Sequence, residues 1–445
     1  MYAHHDDERA ESRPVRRAGP VASVPLLALQ RGAGNAATTR LLQVQRAVGF
    51  EYELGTVETY RKGVLFGRDQ RYRLKGKEVI ARHDGFDVTA DEPPAGQGGG
   101  LTDLEIVVHH LDDADPASRK RLGEVMGRVE GLAGRLQRRA GQEVPAAEVG
   151  AGWPSWVYLR PEADDLAGQL QMTGGLSMAA LGAVLSGKAL RATAARADRL
   201  PAGTSKDTAQ AAVDALAHYA GPAEAESYRR AAQVVTERTR LHGPGHSALT
   251  SVMAMLVAPA QAARQRTLPY PKAATGLLMA RTDFATIIGL LPADARTALA
   301  RRHGLVTDLV LDVLGRLPGD AVDRNDPVFP KEMTEPGYTR PTITFAEWLD
   351  PLGAAVPVDR MTTGNYPVGD PASLEKRMEA ASLDSLGALG DQTDPARVPG
   401  TTGEPGKPRP IYEFRALSSL YPDALVNTAL GLWDFVALAH QRKIH

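Results

Sequence analysis

The stretch Val48–Leu54, with the sequence VGFEYEL, decides how the fold is interpreted, because apolar and acidic residues alternate along it. Two later segments repeat the pattern: Asp103–Ile106 reads DLEI, and Tyr412–Arg415 reads YEFR. Strict alternation is typical of β-strands with one buried face. Side chains two residues apart lie on the same face of a strand. The three segments therefore predict strands with one apolar and one charged face.

The charged faces of these strands carry five carboxylates and one arginine: Glu51, Glu53, Asp103, Glu105, Glu413 and Arg415. A fourth segment, Gln169–Thr173, presents polar residues in the same alternating way. Each strand alone fits an ordinary antiparallel sheet whose polar face meets water. Carboxylates on neighbouring strands repel each other, however, and a hard cation such as Mg²⁺ would neutralise them. We therefore expect these strands to build one charged active-site face.

Composition restricts the classes of function. The chain has 445 residues, of which 43% are hydrophobic and 24% charged, as in a globular protein. Its formal net charge is -1 and no lysine-rich block stands out, so we expect neither nucleic acid nor a membrane surface as a partner. Cysteine is absent, which excludes a thiol nucleophile and cysteine-ligated metals. We find no membrane-spanning run and no secretory signal pattern, and these absences predict a cytoplasmic protein.

The patterns divide the chain into five parts. These are a disordered N-terminus at 1–22, a leader at 23–47, the first part of a sheet domain at 48–175, a helical domain at 176–317, and loops, a final strand and a C-terminal helix at 318–445. Strands without regular βαβ alternation predict an α+β fold with a mainly antiparallel sheet and a large helical insertion. One short strand is expected at Thr342–Phe345. No P-loop and no dinucleotide-binding glycine motif are present.

Four segments, taken in order, resemble motifs of amidoligase-like proteins in the carboxylate–amine ligase superfamily. They are GFEYE at 49–53, DLEIV at 103–107, LQMT at 170–173 and EFR at 413–415. The resemblance covers residues 48–175 and 411–420. It implies a curved, mainly antiparallel sheet of glutamine-synthetase type whose concave face holds ATP and Mg²⁺. The metal ligands that it implies are Glu51, Glu53, Glu105 and Glu413, with Arg415 bound to phosphate.

The resemblance also implies a reaction. ATP phosphorylates a substrate carboxylate, and an amine attacks the acyl phosphate to give an amide. The catalytic residues that the resemblance implies are the four metal ligands and the phosphate-binding Arg415. Gln171 and Thr173 occupy the strand where many relatives have histidines, and we assign them to the substrate. A hydrolase that uses the same carboxylates and a metal is a further alternative.

The helical block holds two further candidates for cofactor binding. Lys272 and Arg281 flank an apolar run and can close over a phosphate or a substrate carboxylate. In the alternative interpretation, Thr282 or Asp283 caps the next helix and Lys272 is solvated.

A segment near the N-terminus, LQRGAGNAATTRLL at 29–42, resembles one in bacterial proteins linked to extracellular contractile injection systems. The resemblance implies an effector or toxin whose partner is the injection particle and which is exported through it. An unstructured leader with a weak helix is the other interpretation of this segment. For the whole chain, the alternative to a ligase is a catalytically inactive structural or adaptor component of such a system.

Overall fold

The structure is a computed structural model of the full chain. It describes residues 47–65, 68–76, 78–91, 102–113, 115–162, 166–217, 222–264, 278–282, 284–326, 344–353, 409–415, 417 and 419–441. In these ranges no helix is both long and apolar enough to cross a membrane.

One 11-stranded sheet organises the described residues, and every pairing in it is antiparallel. In chain order the strands are β1 (Ala47–Leu65), β2 (Arg68–Arg73), β3 (Val79–His83), β4 (Phe86–Asp91), β5 (Thr102–Asp112), β6 (Val144–Pro145), β7 (Val157–Pro161), β8 (Gly168–Gly175), β9 (Leu278–Ala280), β10 (Ile411–Phe414) and β11 (Ser419–Leu420). The main path runs β3-β4-β5-β1-β8-β10-β9. Strand β1 is 19 residues long and also pairs with β2 and β7 at its far end.

The helices of the described residues lie mostly in the middle of the chain. They are α1 (Ser118–Gln137), α2 (Ala146–Val149), α3 (Met178–Leu185), α4 (Lys188–Ala197), α5 (Thr204–Ala215), α6 (Pro222–Thr239), α7 (Gly243–Arg264), α8 (Phe284–Gly289), α9 (Ala293–Ala300), α10 (Leu305–Leu314), α11 (Phe345–Gly353) and α12 (Leu425–Ala439). Helix α12 packs against α1 and α5, and α1 packs against β5. The expectation of an α+β fold with a large antiparallel sheet is confirmed.

The core forms where the alternating strands predicted it. Phe50, Tyr52 and Leu54 of β1 are each at most 1% exposed. Their neighbours on β5, Leu104 and Ile106, are fully buried. Because these residues share one face of the sheet, that face is apolar, and the opposite face carries the glutamates.

Among its described residues, the predicted helical domain at 176–317 contains one strand. Strand β9 (Leu278–Ala280) lies between α7 and α8 and pairs with β10 at the edge of the main path. Three residues are too few for periodicity to reveal a strand, and the pairing partner is distant in the sequence. The block therefore contributes to the sheet as well as to the helical layer.

The strand expected at Thr342–Phe345 does not extend to Phe345, where α11 begins, whereas Thr344 forms a β-bridge. Thr342 and Ile343 lie outside the described residues. The Thr344 hydroxyl accepts a hydrogen bond from the Glu347 amide at 3.2 Å, and the Glu347 carboxylate accepts one from the Thr344 amide at 2.9 Å. This reciprocal pair is a capping box, which starts a helix.

Candidate functional site: a polar sheet face

The register of the sheet brings the charged residues of four strands onto one face. Glu105 of β5 lies opposite Glu53 of β1, which lies opposite Gln169 of β8. Two residues away on β1, Glu51 lies opposite Gln171. Directly paired residues of an antiparallel sheet point to the same side. The strands therefore build a continuous polar face from residues that are far apart in the sequence.

Three glutamates of this face form a close group that we call the carboxylate cluster: Glu51, Glu53 and Glu105. Carboxylate oxygens from all three lie within 4.8 Å of one another. Glu105 is 1% exposed, whereas the other two are half-buried. Like charges at this distance repel, and the repulsion is stronger where water is excluded. Such a group is suited to hold a divalent cation, which prefers oxygen ligands.

Neutral side chains orient two members of the carboxylate cluster. The Thr89 hydroxyl donates a hydrogen bond to Glu105 Oε2 at 2.9 Å, and Thr89 is itself buried on β4. The Gln171 amide donates to Glu53 Oε1 at 2.6 Å. These bonds fix carboxylate positions and leave the negative charge in place. Gln171 therefore lies beside the carboxylate cluster, and its assignment to the substrate stays a prediction.

The far end of the same face holds a second group, which we call the arginine–glutamate group: Arg281, Glu413 and Arg415. Arg281 Nη1 lies 2.9 Å from Glu413 Oε2, and Arg415 Nε lies 3.4 Å from Glu413 Oε1. The Glu413 side chain is 5% exposed, that of Arg281 is 16% exposed, and that of Arg415 is 33% exposed. Glu413 lies opposite Thr173, which connects the two groups across β8.

The end of β9 positions Arg281. The Arg281 amide donates to the carbonyl oxygen of Ile411 at 2.8 Å, and the Ile411 amide donates to the hydroxyl of Thr282 at 2.9 Å. Thr282 is 1% exposed. Thr282 therefore fixes the end of β9 against β10, and Arg281 projects beside Glu413. Of the two cofactor-binding candidates in the helical block, Arg281 lies on the polar face, and Lys272 lies outside the described residues.

Glu413 is not part of the carboxylate cluster. The family resemblance implies that Glu413 is a metal ligand like the three other glutamates. In the structure it lies on the same face, with both oxygens beside guanidinium groups. From the strand spacing and rise, the α-carbons of Glu51 and Glu413 are about 12 Å apart. Its role as a ligand stays a prediction.

Asp103 adds negative charge beside the carboxylate cluster. It lies opposite Asp91, on the same face as Glu105. Loss of hydration and then the Asp91 and Glu58 carboxylates raise the pKa of Asp103 to about 6. The acidic end of the face thus extends beyond the cluster.

Sequence reasoning missed Thr89 and the strand that carries it. The segment FDVTAD at 86–91 alternates polar and apolar residues, so the signal was present but short. It missed the ion pair between Arg281 and Glu413 because nothing local to either residue reveals the β9–β10 pairing.

Fold and site together define a class: an α+β protein whose antiparallel sheet presents clustered carboxylates and a buried arginine–glutamate group on one face. No protein-family model matches the sequence, and no curated protein matches it. Two solved structures are similar in part. One is a mutant of the ACD domain of a VgrG toxin from Vibrio cholerae in complex with ADP and Mn++, at 10% identity and a TM-score of 0.34, covering 83% of this chain and 94% of that one. The other is a Vibrio cholerae toxin from the MARTX/VgrG family, at 10% identity and a TM-score of 0.34, covering 83% and 93%. At this TM-score, neither the fold nor the function of this chain follows from them.

Proposed function

We propose that this chain is an ATP- and Mg²⁺-dependent carboxylate–amine ligase-like enzyme with a sheet of glutamine-synthetase type. One observation carries the proposal: three carboxylates within 4.8 Å of one another share a sheet face with Arg281 and Arg415. A face with a cation-binding end and a guanidinium end suits a nucleotide whose phosphates are bound to a metal.

The donor set fits Mg²⁺. The carboxylate cluster supplies only hard oxygen ligands, and two of its members, Glu51 and Glu53, are half-buried and so leave room for water or phosphate oxygens. Mg²⁺ favours such mixed coordination over an all-protein cage. When bound, Mg-ATP would supply the phosphoryl group that activates a substrate carboxylate for attack by an amine.

The side chains of this chain bind and orient in the proposed reaction. Arg281 and Arg415 contact phosphate oxygens, and Thr89 holds Glu105 in place. Gln171 and Thr173 lie between the carboxylate cluster and the arginine–glutamate group, which supports their assignment to the substrate. Positioning and charge neutralisation supply most of the catalysis in phosphoryl transfer. Lys272 remains a proposed phosphate contact.

The proposal includes delivery through a contractile injection system, as an effector or toxin. Its support is the motif at 29–42, which lies outside the described residues. The partners are then the injection particle, a carboxylate substrate and an amine substrate.

Calorimetry with ATP or ADP at millimolar Mg²⁺ tests the ligase proposal. We expect the intact chain to bind Mg-nucleotide and both Glu51→Gln and Glu53→Gln to lower the affinity at least about tenfold, because each removes a charge from the metal site. Glu237→Gln is the matched control, since Glu237 of α6 pairs with Arg316, which follows α10, outside the sheet. Absence of nucleotide binding by the intact chain would refute the enzyme.

The inactive adaptor is a second candidate. The hydrogen bond from Gln171 to Glu53 favours it, since an amide already engages a carboxylate that the enzyme needs for metal. The adaptor predicts that deletion of residues 1–45 abolishes association with the particle and that Glu51→Gln has no effect on any measured property of the complex. Loss of Mg-nucleotide binding in Glu51→Gln would exclude it.

A further inference from the structure

The arginine–glutamate group differs from an ordinary surface ion pair. Glu413 is 4% exposed and each of its two oxygens lies beside a different guanidinium. Two arginines share one carboxylate, so the group keeps a formal charge of about +1. A partly buried excess charge of this kind is costly unless a further partner compensates it.

Both arginines are fixed by contacts that do not involve Glu413. The main-chain bond from Arg281 to Ile411 anchors the first. The Arg415 carbonyl accepts a hydrogen bond from Gln169 at 2.8 Å, and Arg415 Nη1 lies 3.5 Å from the sulfur of Met279. Their backbones are therefore set by the sheet, and Glu413 determines where the guanidinium planes point.

One donor of the group has no partner in the described ranges. The Nε atom of Arg281 is buried there and forms no hydrogen bond. A buried N–H without an acceptor costs free energy, and an incoming oxygen would remove that cost. This atom and the excess positive charge both favour an oxyanion.

We propose that Glu413 is a positioning residue and not a metal ligand: it holds Arg281 and Arg415 as a two-arginine receptor for an oxyanion. The oxyanion is a phosphate group or a carboxylate. Each presents at least two negatively charged oxygens that paired guanidinium groups can bind. The assignment of this oxyanion to ATP or to a substrate acid rests on the proposed function. The receptor itself does not depend on that function.

Binding measurements without catalysis test the inference. Binding of Mn²⁺ alone, measured from the electron paramagnetic resonance signal of the free ion, reports on the carboxylate cluster. Inorganic phosphate and acetate, each in metal-free buffer and followed by calorimetry, report on the receptor and distinguish the two oxyanions. The variants are Glu413→Gln, Glu51→Gln and Arg281→Gln, with Glu237→Gln as the control away from the sheet.

We expect Glu413→Gln to leave the Mn²⁺ affinity within about twofold of the parent and to lower the affinity for the bound oxyanion about tenfold or more. Glu51→Gln should do the reverse. Glu413→Asp should recover part of the oxyanion affinity, because its carboxylate can again pair with the two guanidinium groups and orient them; a residue that only stabilised the fold would not link these ion pairs to oxyanion affinity.

Three outcomes overturn the inference. In the first, Glu413→Gln weakens Mn²⁺ as much as Glu51→Gln does, which makes Glu413 a ligand. In the second, it leaves oxyanion affinity unchanged while Arg281→Gln removes it. In the third, the parent chain binds neither phosphate nor acetate. If Glu413→Gln does not fold, the double variant Glu413→Gln/Arg281→Gln removes both charges, and retained Mn²⁺ binding supports the inference whereas its loss refutes it. If the expected Mn²⁺ and oxyanion results hold but the chain does not bind nucleotide, only the proposed ligase function is refuted.

Discussion

The carboxylate cluster and the arginine–glutamate group lie on one face of one sheet, yet their charges are balanced in different ways. In the carboxylate cluster, three like charges meet, and Gln171 and Thr89 donate hydrogen bonds to two of them. In the other group, two positive charges surround one negative charge. The cluster therefore gains from a cation that it binds, whereas the arginine–glutamate group already supports the folded state.

The largest expected effect comes from removing the carboxylate of the arginine–glutamate group. Glu413→Gln removes the shared carboxylate and leaves two guanidinium groups facing each other, one of them largely buried. We expect the free energy of unfolding to fall by about 3 kcal/mol, the range found when one partner of a buried pair is lost. Urea denaturation measures it. The control is Glu237→Gln, whose exposed pair with Arg316 should contribute little to stability; equal losses in both variants would contradict the difference between buried and exposed pairs.

A smaller effect of opposite sign should come from the acidic end. The folded pKa of Asp103, about 6, lies above its unfolded value of 3.8. The folded state therefore binds more protons, and the stability from this group is complete below about pH 4 and is lost as the pH rises through 6. Asp103→Asn should raise the free energy of unfolding by about 1 kcal/mol at pH 7.5, after allowance for solvent screening. At pH 4 the gain should vanish; a gain that did not depend on pH would contradict the assigned cause.

The smallest expected effect comes from two buried tyrosines on the apolar face of the sheet. The Tyr52 hydroxyl donates to the carbonyl oxygen of Leu420 at 2.9 Å, whereas the Tyr412 hydroxyl, equally buried, has no partner in the described part of the chain. Tyr52→Phe should cost about 1 kcal/mol, and Tyr412→Phe should be neutral or slightly stabilising. Thermal unfolding of the two variants gives the sign; a clear loss in Tyr412→Phe would show that its hydroxyl has a partner.

The alternating strands and their carboxylates could be predicted from the sequence because strand periodicity is local. Glu51 and Glu53 fall on one face whatever their neighbours are, and Glu105 joins them through one pairing. The arginine–glutamate group could not be predicted in this way. Its assembly depends on β9, a strand of three residues, and on a pairing with β10 that no local pattern encodes.

The expected strand fails at Phe345 for a different reason. The apolar and β-branched residues there fit a strand, but Thr344 and Glu347 form a capping box whose spacing is visible in the sequence as TFAE. Capping outweighed β-propensity, which depends strongly on context. Helix α1 shows the converse, since apolar residues at helical spacing along it, among them Leu122, Val125 and Val129, are buried.

Strand β1 has a consequence for biosynthesis. Its partners β5 and β8 follow within residues 102–175, so the acidic half of the face is complete once that part of the chain has left the ribosome. The guanidinium half needs β9 and then β10, which are synthesised much later. Long-range pairings form slowly, and nascent chains fold from the N-terminal side. A nascent chain thus acquires its cation-binding half before its anion-binding half, and both halves coexist only in a chain synthesised through Arg415.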